Sequence, residues 1–184
     1  MGIRAEPTIA DDEVTRRQLR MQFSGVGHVV CSQGRDDHIP EKPGVLRHDE
    51  VVATLDRAVK KHPRTTFIAC HFANCCYDLD RLGRMFDQCP NLYADISARY
   101  AETAAIPRFV GRFYEKYSNR LVYGTDMTAS ADTYRFTFRV LESADEHFYA
   151  WNHSSYHWPL YGFALSDEVL KKVYRDNALK ILKD

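Results

Sequence analysis

The chain is predicted to be an α/β protein built from parallel strands. Three runs rich in β-branched and apolar residues begin near positions 65, 92 and 121. Each neighbouring pair is separated by one stretch of helical periodicity, with fewer than thirty residues per period. Strand–helix–strand alternation at that period marks right-handed parallel βαβ units. Polar residues also stand at the ends of these runs, which is where parallel α/β proteins carry their active sites.

From the N-terminus, Thr15 to Phe23 reads as a short helix and His28 to Cys31 (HVVC) as a strand. Gln33 to Pro43 is polar and broken by Pro40 and Pro43, so it reads as a loop. After Gly44 the pattern sharpens. Asp49 to His62 sets Val51, Val52, Leu55 and Val59 on one helical face, and Pro63 follows the stop. Thr65 to Cys70 (TTFIAC) is a buried strand. Asp78 can cap a helix carrying Leu79, Leu82, Phe86 and Cys89, closed by Pro90. Leu92 to Ser97 (LYADIS) is the next strand. Pro107 suits the first turn of a helix that buries Phe109, Val110, Phe113 and Tyr117. Leu121 to Asp126 (LVYGTD) is the third run. A helix around Asp132 to His147 shows Tyr134, Phe138 and Leu141 on one side, and a last helix from Ser166 stripes Leu170, Val173, Tyr174, Ala178 and Ile181.

The 184 residues suit one domain with a sizeable core. Twenty-five basic and 25 acidic side chains cancel, so nothing in the charge argues for nucleic acid or an anionic membrane as partner. Five cysteines, two of them adjacent, do not look like a secreted disulfide framework. The first residues are studded with charge and lack the apolar core of a signal peptide, and no run is long enough to span a bilayer. A cytoplasmic protein with reduced thiols is therefore expected.

The strand ends carry the chemistry. TTFIACH ends in His71, LYADIS carries Asp95 and Ser97, and LVYGTD ends in Asp126. His71 and Asp126 should emerge on one rim, two strands and ~10 Å apart. An imidazole and a carboxylate so placed can face a common metal or substrate and move protons near neutral pH. Each alone also fits a cap, a turn or a satisfied structural role, and that alternative stays open. Gly124 should let the chain pass close to its neighbours, and Thr125 should hydrogen-bond the carboxylate. Cys70, His71, Cys75 and Cys76 have the chemistry of a soft metal site but not the spacing of one, and Cys70 should point away from His71 if the strand alternates. Arg99 suits either a substrate carboxylate or a surface salt bridge. The aromatic stretch Tyr149 to Phe163 either folds over the rim, with His153 and His157 completing a metal site, or packs Trp158, Pro159 and Tyr161 against the wall.

FIACHFAN (Phe67–Asn74), NLYADISARYAET (Asn91–Thr103), RFYEKYSNRLVYGTDM (Arg112–Met127) and VLKKVYRDNALKIL (Val169–Leu182) together resemble the amidohydrolase-related family. Its members include metal-dependent hydrolases and decarboxylases of the aminocarboxymuconate-semialdehyde type. The likeness runs from about Gly44 to Leu182. It implies a partial (β/α)8, TIM-barrel-like fold whose N-terminal half is missing, with residues 1–43 a poorly defined segment and 44–184 the C-terminal half of the barrel. It also implies that Asp126 is a metal ligand and proton acceptor. His71 would bind metal or substrate and assist proton transfer, and Asn177 and Ala178 would be structural; apart from the resemblance, Arg99 and Asn74 are the candidate substrate-binding residues. The implied cofactor is a divalent metal, zinc or manganese.

The departures from the family pattern are as informative. The first strand of the family supplies a His-x-His pair, and none occurs here. If HVVC is strand five, Cys31 and Ser32 stand at its end, His28 stands at the wrong end, and His38 lies in the following loop. A full barrel needs roughly 250 residues. The inherited ligand set is thus incomplete, and the isolated chain is expected to be inactive or weak. The expected function is metal-dependent hydrolysis or decarboxylation of a small carboxylated or carbonyl substrate. The alternative is a non-catalytic truncated remnant, or a half-barrel module that self-assembles through its open sheet edges as a homo-oligomer.

Overall fold

A computed structural model describes residues 28–30, 46–151, 153 and 158–183. The expected helix at Thr15–Phe23, the loop at 33–43, and Cys31, Ser32, His38 and His157 lie outside the described residues.

Four strands form one sheet in the order β1 (His28–Val30), β2 (Phe67–Cys70), β3 (Leu92–Asp95) and β4 (Leu121–Val122). Every pairing is parallel, as the βαβ period requires. The register sets Ile68 beside Tyr93 and Asp95 beside Val122. Phe67, Ala69, Leu92, Ala94 and Leu121 therefore share the other face, and all five belong to the buried core beneath the helices. Ile68 and Val122 are only half-buried.

Helix α1 (His48–Lys61) starts where the Glu50 carboxylate takes the Arg47 backbone N–H at 2.7 Å, and buries Val52, Leu55 and Val59. Asp78 caps α2 (Leu79–Gln88) by accepting the Arg81 N–H at 3.0 Å. A short helix that the sequence reading did not anticipate, α3 (Tyr100–Ala104), follows β3. Pro107 opens α4 (Pro107–Tyr117), which buries Val110, Phe113 and Tyr114. Phe109 and Tyr117, expected in the core, pack only partly buried at its edge.

Helix α5 (Ala131–Glu142) is capped by Ser130 and ends five residues before the expected His147. Ser143 leaves the helix in extended conformation and its hydroxyl donates to the Arg139 carbonyl at 2.7 Å, which closes the last turn. The core face of α5 is Phe136, Val140 and Leu141, not the expected line through Tyr134 and Phe138. Those two are exposed; Tyr134 packs on Phe138, and Phe138 meets the Tyr123 ring at a tilt and the Tyr174 ring edge-on. The chain then makes one antiparallel bridge, Phe148 to Leu160, and returns along α5 to Ser166.

The C-terminal helix comprises α6 (Asp167–Lys171), a π-helical stretch (Lys172–Asp176) and α7 (Asn177–Lys183). Its buried positions are Val169, Val173 and Asn177; of the expected stripe Val173 is buried, while Leu170, Tyr174, Ala178 and Ile181 are half-buried. The widened turn has a use. The Val173 carbonyl accepts the Tyr123 N–H at 2.9 Å, so a helix covers the backbone of the last strand. Asn177 is buried and donates from Nδ2 to the Ser118 and Leu121 carbonyls, both at 2.7 Å.

Candidate functional site at the carboxyl ends of the strands

Parallel strands deliver their ends to one rim, and three of them meet there. After β2 the chain turns left-handed: His71, Phe72, Ala73 and Asn74 have φ of 58°, 56°, 51° and 56°. None is glycine, and each costs about 1–2 kcal/mol in this region. Ala98 after β3 and Asp126 after β4 share the same conformation, at 54° and 52°. β2, β3 and β4 are thus each followed by a left-handed residue at the rim.

Several contacts hold the first turn. Phe72 and Ala73 are fully buried, and the Phe72 ring meets Tyr114 and Phe113 edge-on at 6.0 and 6.2 Å. The Asn74 and Cys75 N–H groups donate to the His71 and Phe72 carbonyls at 2.8 Å. His48 at the start of α1 lies with Nε2 3.0 Å from the Asn74 carbonyl, which can only accept, so Nε2 donates. Nδ1 of the same ring then accepts from the Tyr77 hydroxyl at 3.0 Å. Burial pushes that hydroxyl up to about 12, so it keeps the proton it donates.

The turn presents the His71 ring to two carboxylates. Nε2 lies 3.3 Å from Asp126 Oδ2, and Nδ1 lies 2.7 Å from Ser97 Oγ and 3.3 Å from Asp95 Oδ1. The strand spacing put His71 and Asp126 ~10 Å apart. Instead the two side chains lean inward across the end of β3 and touch. The environments differ sharply. The side chain of Asp126 is 58% exposed and that of Asp95 only 11%. Asp95 Oδ1 accepts the backbone N–H groups of His71 and Ser97, each at 3.0 Å, and the Ser97 hydroxyl. Burial alone would raise this carboxyl. The hydrogen bonds from His71, Ser97 and the Cys70 thiol outweigh it and hold Asp95 well below the usual carboxylate range.

Sequence reasoning saw Asp95 and Ser97 at the strand end without giving them a part. The signal was present, since both stand at the carboxyl end of the central run of the three. Cys70 does not point away from this group as expected, because the left-handed residue at 71 breaks strand alternation and both side chains reach Asp95. Thr125 does not bond Asp126 either. Its Oγ1 accepts the Met127 N–H at 3.4 Å. A Cβ on Gly124 would meet Ser97 at an ordinary 3.5 Å, so no close approach demands glycine there.

Arg99 and Asn74 come together: Nη2 donates to Asn74 Oδ1 at 2.6 Å, while Nη1 reaches the Ala98 carbonyl and Glu102 at 3.4 Å. The guanidinium Nε is buried with no hydrogen-bond partner. Among the described residues of the Tyr149 to Phe163 stretch, Leu160, Trp158 and His153 make packing contacts. Leu160 is fully buried, the Trp158 Nε1–H donates to the Ala101 carbonyl at 3.2 Å, and His153 stacks on Phe136 at 4.7 Å. A separate groove of about 590 Å³ lies between α1 and α2, lined by Asp49, Val52, Asp78, Arg81 and Met85, and holds none of the rim residues.

The donor set can be tested against a metal. A catalytic zinc takes about three protein ligands. Among the described residues no group of three or more His, Cys, Asp or Glu side chains could hold one. Asp95 is spent on His71 and Ser97, and the Cys75 thiol donates to the Ala73 carbonyl. His71 Nε2 and Asp126 remain, one donor short, so the described residues do not by themselves fit the metal that the resemblance implies.

A family model described as Amidohydrolase matches residues 47–183. No curated protein and no solved structure matches the chain. Among the described residues no helix is long and apolar enough to cross a membrane.

Proposed function

Because the chain belongs to the amidohydrolase family, we propose that it works as a hydrolase on a small carboxylated or carbonyl substrate at the rim formed by β2, β3 and β4. The observation that carries this reading is the 3.3 Å approach of His71 Nε2 to Asp126 Oδ2 at the carboxyl ends of parallel strands. In this reading Asp126, exposed and unburdened by other hydrogen bonds to the rim, takes the proton of the attacking water. His71 transfers a proton at Nε2. Arg99, held against Asn74, grips a substrate carboxylate through its two-pronged guanidinium. Zinc or manganese dependence belongs to the same reading, with the missing donor supplied from outside the described residues or from a second copy.

The test is turnover of a panel of small carboxylated amides, esters and lactones by the purified chain, with and without added zinc or manganese. Asp126→Asn and His71→Ala should each lose about 10²-fold or more in kcat/KM. Activity that survives both substitutions refutes the assignment. Decarboxylation is followed in the same panel as release of carbon dioxide. A second reading, a half-barrel module that pairs with itself, is favoured by one observation: Ile68 and Val122, on the sheet face away from the helices, are only half-buried.

A further inference from the structure

We propose that Asp95 and Ser97 are positioning residues that hold the ring proton of neutral His71 on Nδ1, so that Nε2 reaches the rim as a bare acceptor. The assignment follows from donors and acceptors alone. A carboxylate oxygen only accepts, so the Ser97 hydroxyl donates to Asp95 Oδ1. With its one proton committed, Ser97 Oγ faces Nδ1 at 2.7 Å as an acceptor, and Asp95 Oδ1 lies 3.3 Å from the same nitrogen as a second acceptor. Nδ1 therefore carries the hydrogen, because the bond made by one ring nitrogen sets the state of the other.

Asp126 competes from the other side, since its carboxylate would prefer a proton on Nε2. The competition is unequal. The Asp126 contact is longer, 3.3 Å against 2.7 Å, and its carboxylate is 58% exposed, so water weakens its pull. The Ser97–Asp95 side is buried and supported by two backbone N–H groups that hold the carboxylate still.

The consequence for chemistry rests on the hydrolase reading, while the tautomer itself does not. Two bare acceptors facing each other at 3.3 Å receive; they do not donate. A group placed against the pair is a donor, such as water, an alcohol or an N–H. His71 is then a proton acceptor in the resting site and does not polarise a substrate carbonyl, which would need a hydrogen on Nε2.

The experiment is long-range nitrogen-15 NMR of the full chain labelled at histidine, recorded where the His71 ring is neutral. His71 is assigned by the loss of its signals in His71→Gln. The expected result is a protonated-type Nδ1 and a bare-type Nε2 in the unmodified chain. The same pattern is expected in Asp126→Ala, a substitution at an exposed side chain. Asp95→Ala should move the proton to Nε2, where Asp126 is the remaining carboxylate. A protonated Nε2 in the unmodified chain overturns the proposal, and so does a tautomer that shifts in Asp126→Ala. If Asp95→Ala does not fold, the other two spectra still decide. None of these spectra depends on turnover, so loss of the hydrolase reading in the activity panel leaves the tautomer result standing.

Discussion

At the scale of single residues, the molecule separates polar groups that are satisfied from groups that are not. Asp95 is buried and fully engaged, and its carboxyl is held well below the ordinary range. A carboxyl held low in the folded state contributes stability at pH above its unfolded value of about 3.9, and that contribution is lost as pH falls below that value and on through the lowered one. Asp95→Asn should therefore be less stable than the unmodified chain at neutral pH, yet lose less stability between pH 5 and 3. Urea unfolding at several pH values checks this, and parallel curves would contradict it. Tyr114 is the opposite case. Its side chain is fully buried on α4, and its hydroxyl has no partner. An orphaned buried hydroxyl costs about 1–3 kcal/mol. Tyr114→Phe keeps the ring against Phe72 and Phe163 and should raise stability by about 1 kcal/mol, read as a higher urea midpoint at unchanged slope.

At the scale of elements, the joints matter more than the rods. The amphipathic helices α1, α2 and α4 were legible because apolar side chains repeat at helical spacing and Asp78, Pro63 and Pro107 mark their ends. The C-terminal helix was legible as a helix, but its π-helical stretch was not. Nothing local in KVYRD announces a widened turn, and its use, a carbonyl offered to Tyr123, exists only once β4 lies alongside. Asn177 locks the same joint with two buried hydrogen bonds. Asn177→Ala leaves two carbonyls unpaired and should cost about 2–3 kcal/mol. Hydrogen exchange should show the loss first at the Tyr123 amide, while the α1 amides keep their protection. A uniform loss across both would mean that the joint is not a separate unit.

At the scale of the whole molecule, a four-stranded parallel sheet has helices over one face. Parallel sheets normally bury both faces. Among the described residues of the other face, Ile68 and Val122 are half-buried, while Tyr93 and Asp95 on the strand between them are buried. If a second copy covers that face, light scattering behind size-exclusion chromatography should give a mass about twice that of the 21.3 kDa chain. Ile68→Asp should return the chain to monomer. A monomer at all concentrations removes the self-pairing reading and leaves the enzyme reading untouched.

The sequence by itself determined the parallel α/β class, the helices with clear ends, the family likeness later matched over residues 47–183, and the two side chains most worth watching, His71 and Asp126. These are properties of local pattern: periodicity, caps and short blocks of residues. Tertiary structure alone decided that the two would touch at 3.3 Å, that Asp95 and Ser97 would stand behind the imidazole, and that Arg99 would lie against Asn74. The physical reason is the left-handed turn at 71–74. Four non-glycine residues hold that conformation because Phe72 packs on α4, His48 takes the Asn74 carbonyl, and Asp95 takes the His71 N–H. Those partners come from 24 to 42 residues away along the chain, beyond the reach of any local pattern.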